Sequence, residues 1–207
     1  MSKKGELSIT AYEFYRNVFR LKDKELIQEL INETEIRRLK KGEHIVHIGE
    51  VQKDVYFLET GVARGYFLDI NGKDVTDCFG FRQGTAVVSF GQLELNAPSS
   101  MTIEMLEEGS FFCIPVAAVI RLQQRYKEAM ILYNQLLITA LKEHWELKRI
   151  LNSYTAVQRY QWFLKEYPGL IDKVSNKYIA SFLGMTPVTL SRLRRSLREE
   201  QKSDKTP

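Results

Sequence analysis

Two hydrophobic periods alternate along the chain. Between residues 8 and 33 the runs AYEFYRNVF and KELIQELI place apolar residues at helical spacing, which predicts short helices. From 34 to 115 the period shortens. The runs HIVHIG, DVYFLET, VARGYFLDI, KDVTDCFGF, TAVVSF, MTIEML and SFFCIP alternate with turn signals at Gly42, Gly49, Gly61, Asn71-Gly72 and Gly84. Asn71-Gly72 between two strand-like runs predicts a hairpin, because both residues tolerate positive φ. A series of short strands with regular turns predicts a small sandwich or barrel. Residues 116–152 read as one long helix. Met130, Tyr133, Leu137, Ala140, His144, Leu147 and Leu151 step along it by 3, 4, 3, 4, 3 and 4, a heptad stripe. So narrow a seam fits a helix lying along a partner helix, and the expected partner is a second copy of the chain. His144 is the polar member of that seam.

The C-terminal stretch IASFLGMTPVTLSRLRRSL predicts two short helices around a glycine. A helix-turn-helix needs a small residue where its helices touch, a residue free to take positive φ at the turn, and inward apolar faces. Ala180 and Gly184 supply the first two. Ile179, Leu183, Leu190 and Leu193 supply the third. Ser175 is a suitable N-cap for the first helix and Thr186 for the second, with Pro187 at the first helical position, where its missing N–H costs nothing. The outer side of the second helix then shows Val188, Thr189, Arg192 and Arg195. Such a helix fits a major groove, where arginine donates two hydrogen bonds to guanine.

Charge supports a polyanion partner. The net charge is +4, and from Ser175 to the end seven Lys/Arg stand against three Asp/Glu, so the excess sits in the tail. Cys78 and Cys113 form no disulfide framework and lack metal spacing, which fits a reduced cytoplasm. No apolar run approaches a membrane span, and the polar N-terminus lacks a signal-peptide core. An enzyme reading finds little support. His44 and His47, three apart in an expected strand, should point to opposite faces, and no GxSxG, GxxxxGK[ST] or HExxH motif occurs. No metal site and no bound cofactor is expected.

The order of parts resembles the Crp/Fnr family of bacterial transcription regulators. LKKGEHIVHIGEVQKDVYFLETGVARGYFLDINGKDVT (39–76) is similar to that family's glycine-punctuated hairpins, and TAVQRYQWFLKEYPGLIDKVSNKYIASFLGMTPVTLSRLRRSL (155–197) to its branch common in Bacteroidetes. The resemblance implies an α+β chain with three parts. Residues 1–115 would be a double-stranded β-helix (jelly-roll-like) sensor domain, 116–152 a dimerisation helix, and 153–207 a winged helix-turn-helix. It implies a cytoplasmic homodimer on a near-palindromic double-stranded DNA operator, with RNA polymerase as a further partner and a small-molecule effector in the roll. Arg192 falls at the family's guanine-reading position, and Ser175, Lys177, Thr186 and Arg195 at phosphate-contacting positions. Pro187 and Val188 depart from the pattern, so the operator should differ. In the sensor, Ser89 and Ser99 replace the glutamate and arginine that hold cyclic AMP, and only Ser100 matches. A buried phosphate without a cation loses its strongest partner. The expected effector pocket (Ser89, Ser99, Ser100 and His144) is therefore not one for cyclic AMP. The alternatives are a ligand-independent regulator, or a protein-contact module with a vestigial pocket.

Overall fold

A computed structural model describes residues 3–88 and 97–203. Two helices open the chain, α1 (Lys3–Asn17) and α2 (Lys24–Glu33). Asp23 caps α2 by accepting from the Glu25 and Leu26 amides. Six strands follow: β1 (Glu35–Leu39), β2 (His44–Val46), β3 (Asp54–Leu68), β4 (Asp74–Gly80), β5 (Ala86–Val87) and β6 (Thr102–Pro115). They form one sheet with the path β1-β6-β3-β4, while β2 pairs with β6 and β5 with β3. The pairings of β1, β2 and β3 with β6 are all antiparallel, as a roll requires. The helices α3 (Val116–Arg125), α4 (Lys127–Ser153), α5 (Ala156–Glu166), α6 (Leu170–Lys173), α7 (Asn176–Phe182) and α8 (Pro187–Ser203) complete the chain.

Several expectations are corrected. DVYFLET and VARGYFLDI are one strand, β3, and MTIEML and SFFCIP are likewise one strand, β6. Gly61 does take positive φ (100°), yet it makes no reversal. It lies where β3 crosses β6: a Cβ on Gly61 would sit 2.7 Å from Gly109 Cα, and one on Gly109 would sit 2.2 Å from Thr60 O. Only glycine admits so close an approach. The long helix is two helices, broken at Tyr126, whose backbone is extended (φ −118°, ψ 120°). The strand EIRRL (β1) carries no alternation and was not anticipated. No strand follows β6 among the described residues, so they form no wing. His44 and His47 do not diverge. β2 is only three residues long and its register shifts between His44 and Val46, which lets the two rings stack at 4.4 Å.

The chain divides into two compact units: Met1–Phe67 with Cys78–Ala140, and Leu68–Asp77 with Leu141–Pro207. In the first, Phe14, Tyr15, Leu26 and Ile27 of α1 and α2 pack with Phe57, Phe112 and Ile114 of the sheet and Leu122 of α3. A second cluster fills the roll, with Leu58, Ile103, Met105 and Phe111 all nearly inaccessible. In the second unit Phe163, Tyr167 and Phe182 stack around one another, with Trp162 on Phe182. Thr155 and Gln158 form a capping box that starts α5.

A candidate nucleic-acid interface

The two C-terminal helices form as the caps dictate. Ser175 Oγ accepts from the Lys177 amide at the start of α7. At the other end Gly184 takes φ 60°, the Gly184 amide bonds Ser181 O, and the Met185 amide bonds Ala180 O. That pair of bonds is a Schellman stop, which satisfies carbonyls that α7 would otherwise leave bare. Thr186 Oγ1 then accepts from the Thr189 amide, and the Thr186 and Thr189 hydroxyls bond each other at 2.9 Å. Pro187 is the first residue of α8. Ile179, Ala180, Leu183 and Leu190 are fully buried between the helices.

This packing fixes which side of α8 faces out. Val188 is 59% exposed, and Arg192 and Arg195 are exposed as well. Positions 188, 192 and 195 share one helical face. Exposed Ser191 joins them, a residue the sequence reading passed over. Thr189 is half-buried and engaged in the cap, so it contributes to geometry more than to surface. Arg194 turns the other way, and its Nη1 donates to Asn176 Oδ1 on α7. The outer face is therefore a short stripe with two guanidiniums and no carboxylate through Ser196.

Arg159 on α5 is the main residue the sequence reading missed. Its Nε donates to Tyr154 O at 2.9 Å, and its Nη1 donates to Leu183 O at 3.0 Å and to Gly184 O at 3.3 Å. One guanidinium thus ties the end of α4 to the turn that aims α8. Leu151 approaches the same turn: a Cβ on Gly184 would lie 3.4 Å from Leu151 Cδ2.

On α4 the exposed apolar residues do not follow the expected stripe. Met130 is exposed; Tyr133, Leu137, Ala140, Leu147 and Leu151 are half-buried; His144 is exposed. Ala129, Leu132 and Leu136 pack into the first unit's core. The strongest outward display is Ile131, Ile138, Leu141 and Trp145, at 42, 51, 57 and 59% exposure. Their spacing of 7, 3 and 4 is again a heptad stripe, turned by about one position.

Of the expected effector-pocket residues, Ser89 lies outside the described residues. Ser99 is buried, but its hydroxyl donates to Met101 O within its own turn. Ser100 is exposed. His144 belongs to the second unit. The roll does contain a buried cation, which the sequence reading missed. Arg64 on β3 is 2% exposed, lies over the Tyr66 ring at 4.2 Å, and binds Glu104 Oε1 through Nε (2.8 Å) and Nη2 (2.6 Å). Its charge is already met by that carboxylate.

Residues 36–126 match the cyclic nucleotide-binding domain. This class of domain, followed in the chain by a long helix and a helix-turn-helix, is the architecture of the Crp/Fnr regulators, and solved structures bear out that resemblance in fold. FixK2 from Bradyrhizobium japonicum is similar with a TM-score of 0.72 at 20% identity, over 81% of this chain and 86% of that one. CLP, a c-di-GMP-responsive global regulator from Xanthomonas campestris, is similar with a TM-score of 0.70 at 13% identity, over 86% of this chain and 93% of that one. A protein assigned to the Crp/Fnr family from Eubacterium rectale gives 0.67 at 17% identity, over 90% and 88%. No curated protein matches the sequence. No described helix is long and apolar enough to cross a membrane.

Proposed function

We propose that this protein is a sequence-specific DNA-binding transcription regulator that acts as a homodimer on a near-palindromic duplex. The observation that carries the reading is the capped and stopped helix pair, which sets Val188, Ser191, Arg192 and Arg195 on one outward face of α8. That face suits a major groove, with Arg192 reading a base edge while Ser175, Lys177, Thr186 and Arg195 meet phosphates. The exposed stripe from Ile131 to Trp145 supports pairing of two α4 helices. Two-fold pairing would space the half-sites about one helical turn apart. Any effector of the roll is not cyclic AMP. Among the described residues, Ser99 is committed to its own turn and Arg64 to Glu104, which leaves a cyclic phosphate short of partners there.

Selection of bound duplexes from a random pool tests this, with Arg192→Ala alongside the wild type. An enriched palindrome is expected. The substitution should cost about 1–3 kcal/mol and blur one position in each half-site. Binding with a steep salt dependence but no enriched sequence would reduce the protein to a polyanion binder and refute the reading.

A further inference from the structure

The tip of the β3–β4 hairpin (68–77) is continuous with the sheet of the cyclic nucleotide-binding domain, yet it packs in the same compact unit as the helix-turn-helix. The hairpin is well built. Gly72 takes φ 74°, and Asp69 Oδ1 accepts from the Asn71 and Lys73 amides. Contacts from Thr76 and Asp74 join it to α7. The Thr76 amide donates to Ser181 Oγ at 3.0 Å, and Asp74 Oδ1 lies 3.3 Å from Lys177 Nζ. The two pairs lie on consecutive turns of α7. The Asp74 side chain is only 19% exposed, whereas that of Lys177 is 59% exposed. The ammonium is therefore within reach of an outside anion, but only beside a fixed carboxylate.

We infer that this hairpin is an autoinhibitory clip in which Asp74 competes with a DNA phosphate for Lys177. The inference rests on the DNA-reading role proposed above and adds its regulation. Lys177 sits in the first turn of α7, beside the Ser175 cap, where a phosphate would approach. Asp74 cancels its charge and also repels the phosphate. The Thr76–Ser181 bond holds the carboxylate in place. DNA and hairpin thus favour different arrangements of α7. Whatever shifts β3 and β4 within the roll alters how often the clip is closed, and so alters DNA affinity without touching α8. By reciprocity DNA loosens the hairpin.

The test measures affinity for the selected duplex, or for a random-sequence duplex where selection yields none, by fluorescence anisotropy at two salt concentrations. Ser181→Ala breaks the clip with no change of charge. Asp74→Asn breaks it with one negative charge fewer. Asp69→Asn makes the same charge change on the same hairpin while keeping an oxygen for its two amides. The first two should each tighten binding about threefold or more, in line with the loss of one competing hydrogen bond or ion pair. Asp69→Asn should change binding less than about twofold, and Asp74→Asn should have no effect in a Lys177→Gln background. Thermal melting checks that each variant is folded. Unchanged or weaker binding by both clip variants would make the hairpin a support and overturn the inference. So would equal tightening by Asp69→Asn with none from Ser181→Ala, since net charge would then be the cause. If neither wild type nor variants bind any duplex, the DNA-reading role itself falls and the clip with it.

Discussion

Arg159→Ala removes a side chain that bonds both the end of α4 and the helix-turn-helix turn. Two of its bonds, to Tyr154 O (2.9 Å) and Leu183 O (3.0 Å), have good lengths; the third, to Gly184 O (3.3 Å), shares Nη1. Arg159 is half-buried, so each good bond is worth about 1 kcal/mol, and the loss should be about 2 kcal/mol. For a chain of this size that lowers Tm by roughly 4–8 °C. A domain starting from even about 5 kcal/mol would keep about 3 kcal/mol, leaving about 0.6% unfolded at 25 °C. Unfolding therefore cannot account for a large loss of DNA affinity. A loosened turn must, however, be re-ordered on binding, at roughly 0.5–1.5 kcal/mol per subunit. A dimer should bind its operator about tenfold more weakly, with each half-site still read in the same sequence. Arg159→Lys, which can keep one of the carbonyl bonds, should recover part of this. Calorimetry and anisotropy on the same preparations decide the matter. A fall in Tm with wild-type operator affinity would show that Arg159 stabilises the fold but does not aim the reader. An unchanged Tm would refute the bonding estimate as well.

Trp145→Glu on the exposed face of α4 should leave the proposed dimer monomeric in sedimentation equilibrium, since a tryptophan buried at an interface commonly contributes about 2–4 kcal/mol. Tyr133→Ala on the originally expected stripe should do less; equal dissociation by both would restore that stripe as the interface. The two cysteines should react differently with an aromatic disulfide reagent. Burial pushes the Cys113 thiol up to about 12 against the opposing pull of Arg37, so it stays protonated and unreactive throughout the neutral range, and only half-buried Cys78 should label without denaturant. Equal labelling rates in the folded protein would show that the β6 core opens readily.

What was legible in the sequence is what short-range bonds decide. The Ser175 and Thr186 caps, the Gly184 stop and the Asn71-Gly72 hairpin each close within five residues, and all of them form. What was not legible depends on partners far along the chain. Gly61 looks like a turn residue, but it and Gly109 are glycines because each strand passes against the other there. The break at Tyr126 has no proline or glycine to announce it. It is held from outside, where Glu128 accepts the Lys22 and Asp23 amides and the Tyr126 hydroxyl donates to Glu29. Arg64 and Glu104 meet because β3 and β6 place them directly opposite, forty residues apart. Even the exposed apolar stripe on α4 has this origin: the heptad reading lies one position from Ile131, Ile138, Leu141 and Trp145, which stay outward because Leu132 and Leu136 pack into the core.

The same distinction bears on how a signal in the roll would reach α8. The chain passes between the two units at Phe67–Leu68, Asp77–Cys78 and Ala140–Leu141, that is, through the hairpin and along α4. A ligand can bias the reader only by the difference in its affinity for two states. Through the hairpin, the Asp74–Lys177 ion pair, which is partly exposed, and the Thr76–Ser181 hydrogen bond together contribute about 1–2 kcal/mol. Such a clip changes DNA affinity by roughly five- to thirtyfold per subunit, a graded adjustment. A switch of about 10⁴-fold requires roughly 5.5 kcal/mol and must come from a larger rearrangement. In the proposed dimer the α4 helices, with four large exposed apolar side chains on each copy, would bury enough surface to supply it. Clip variants should therefore raise basal DNA binding yet leave most of any effector response intact, whereas α4 variants should abolish both.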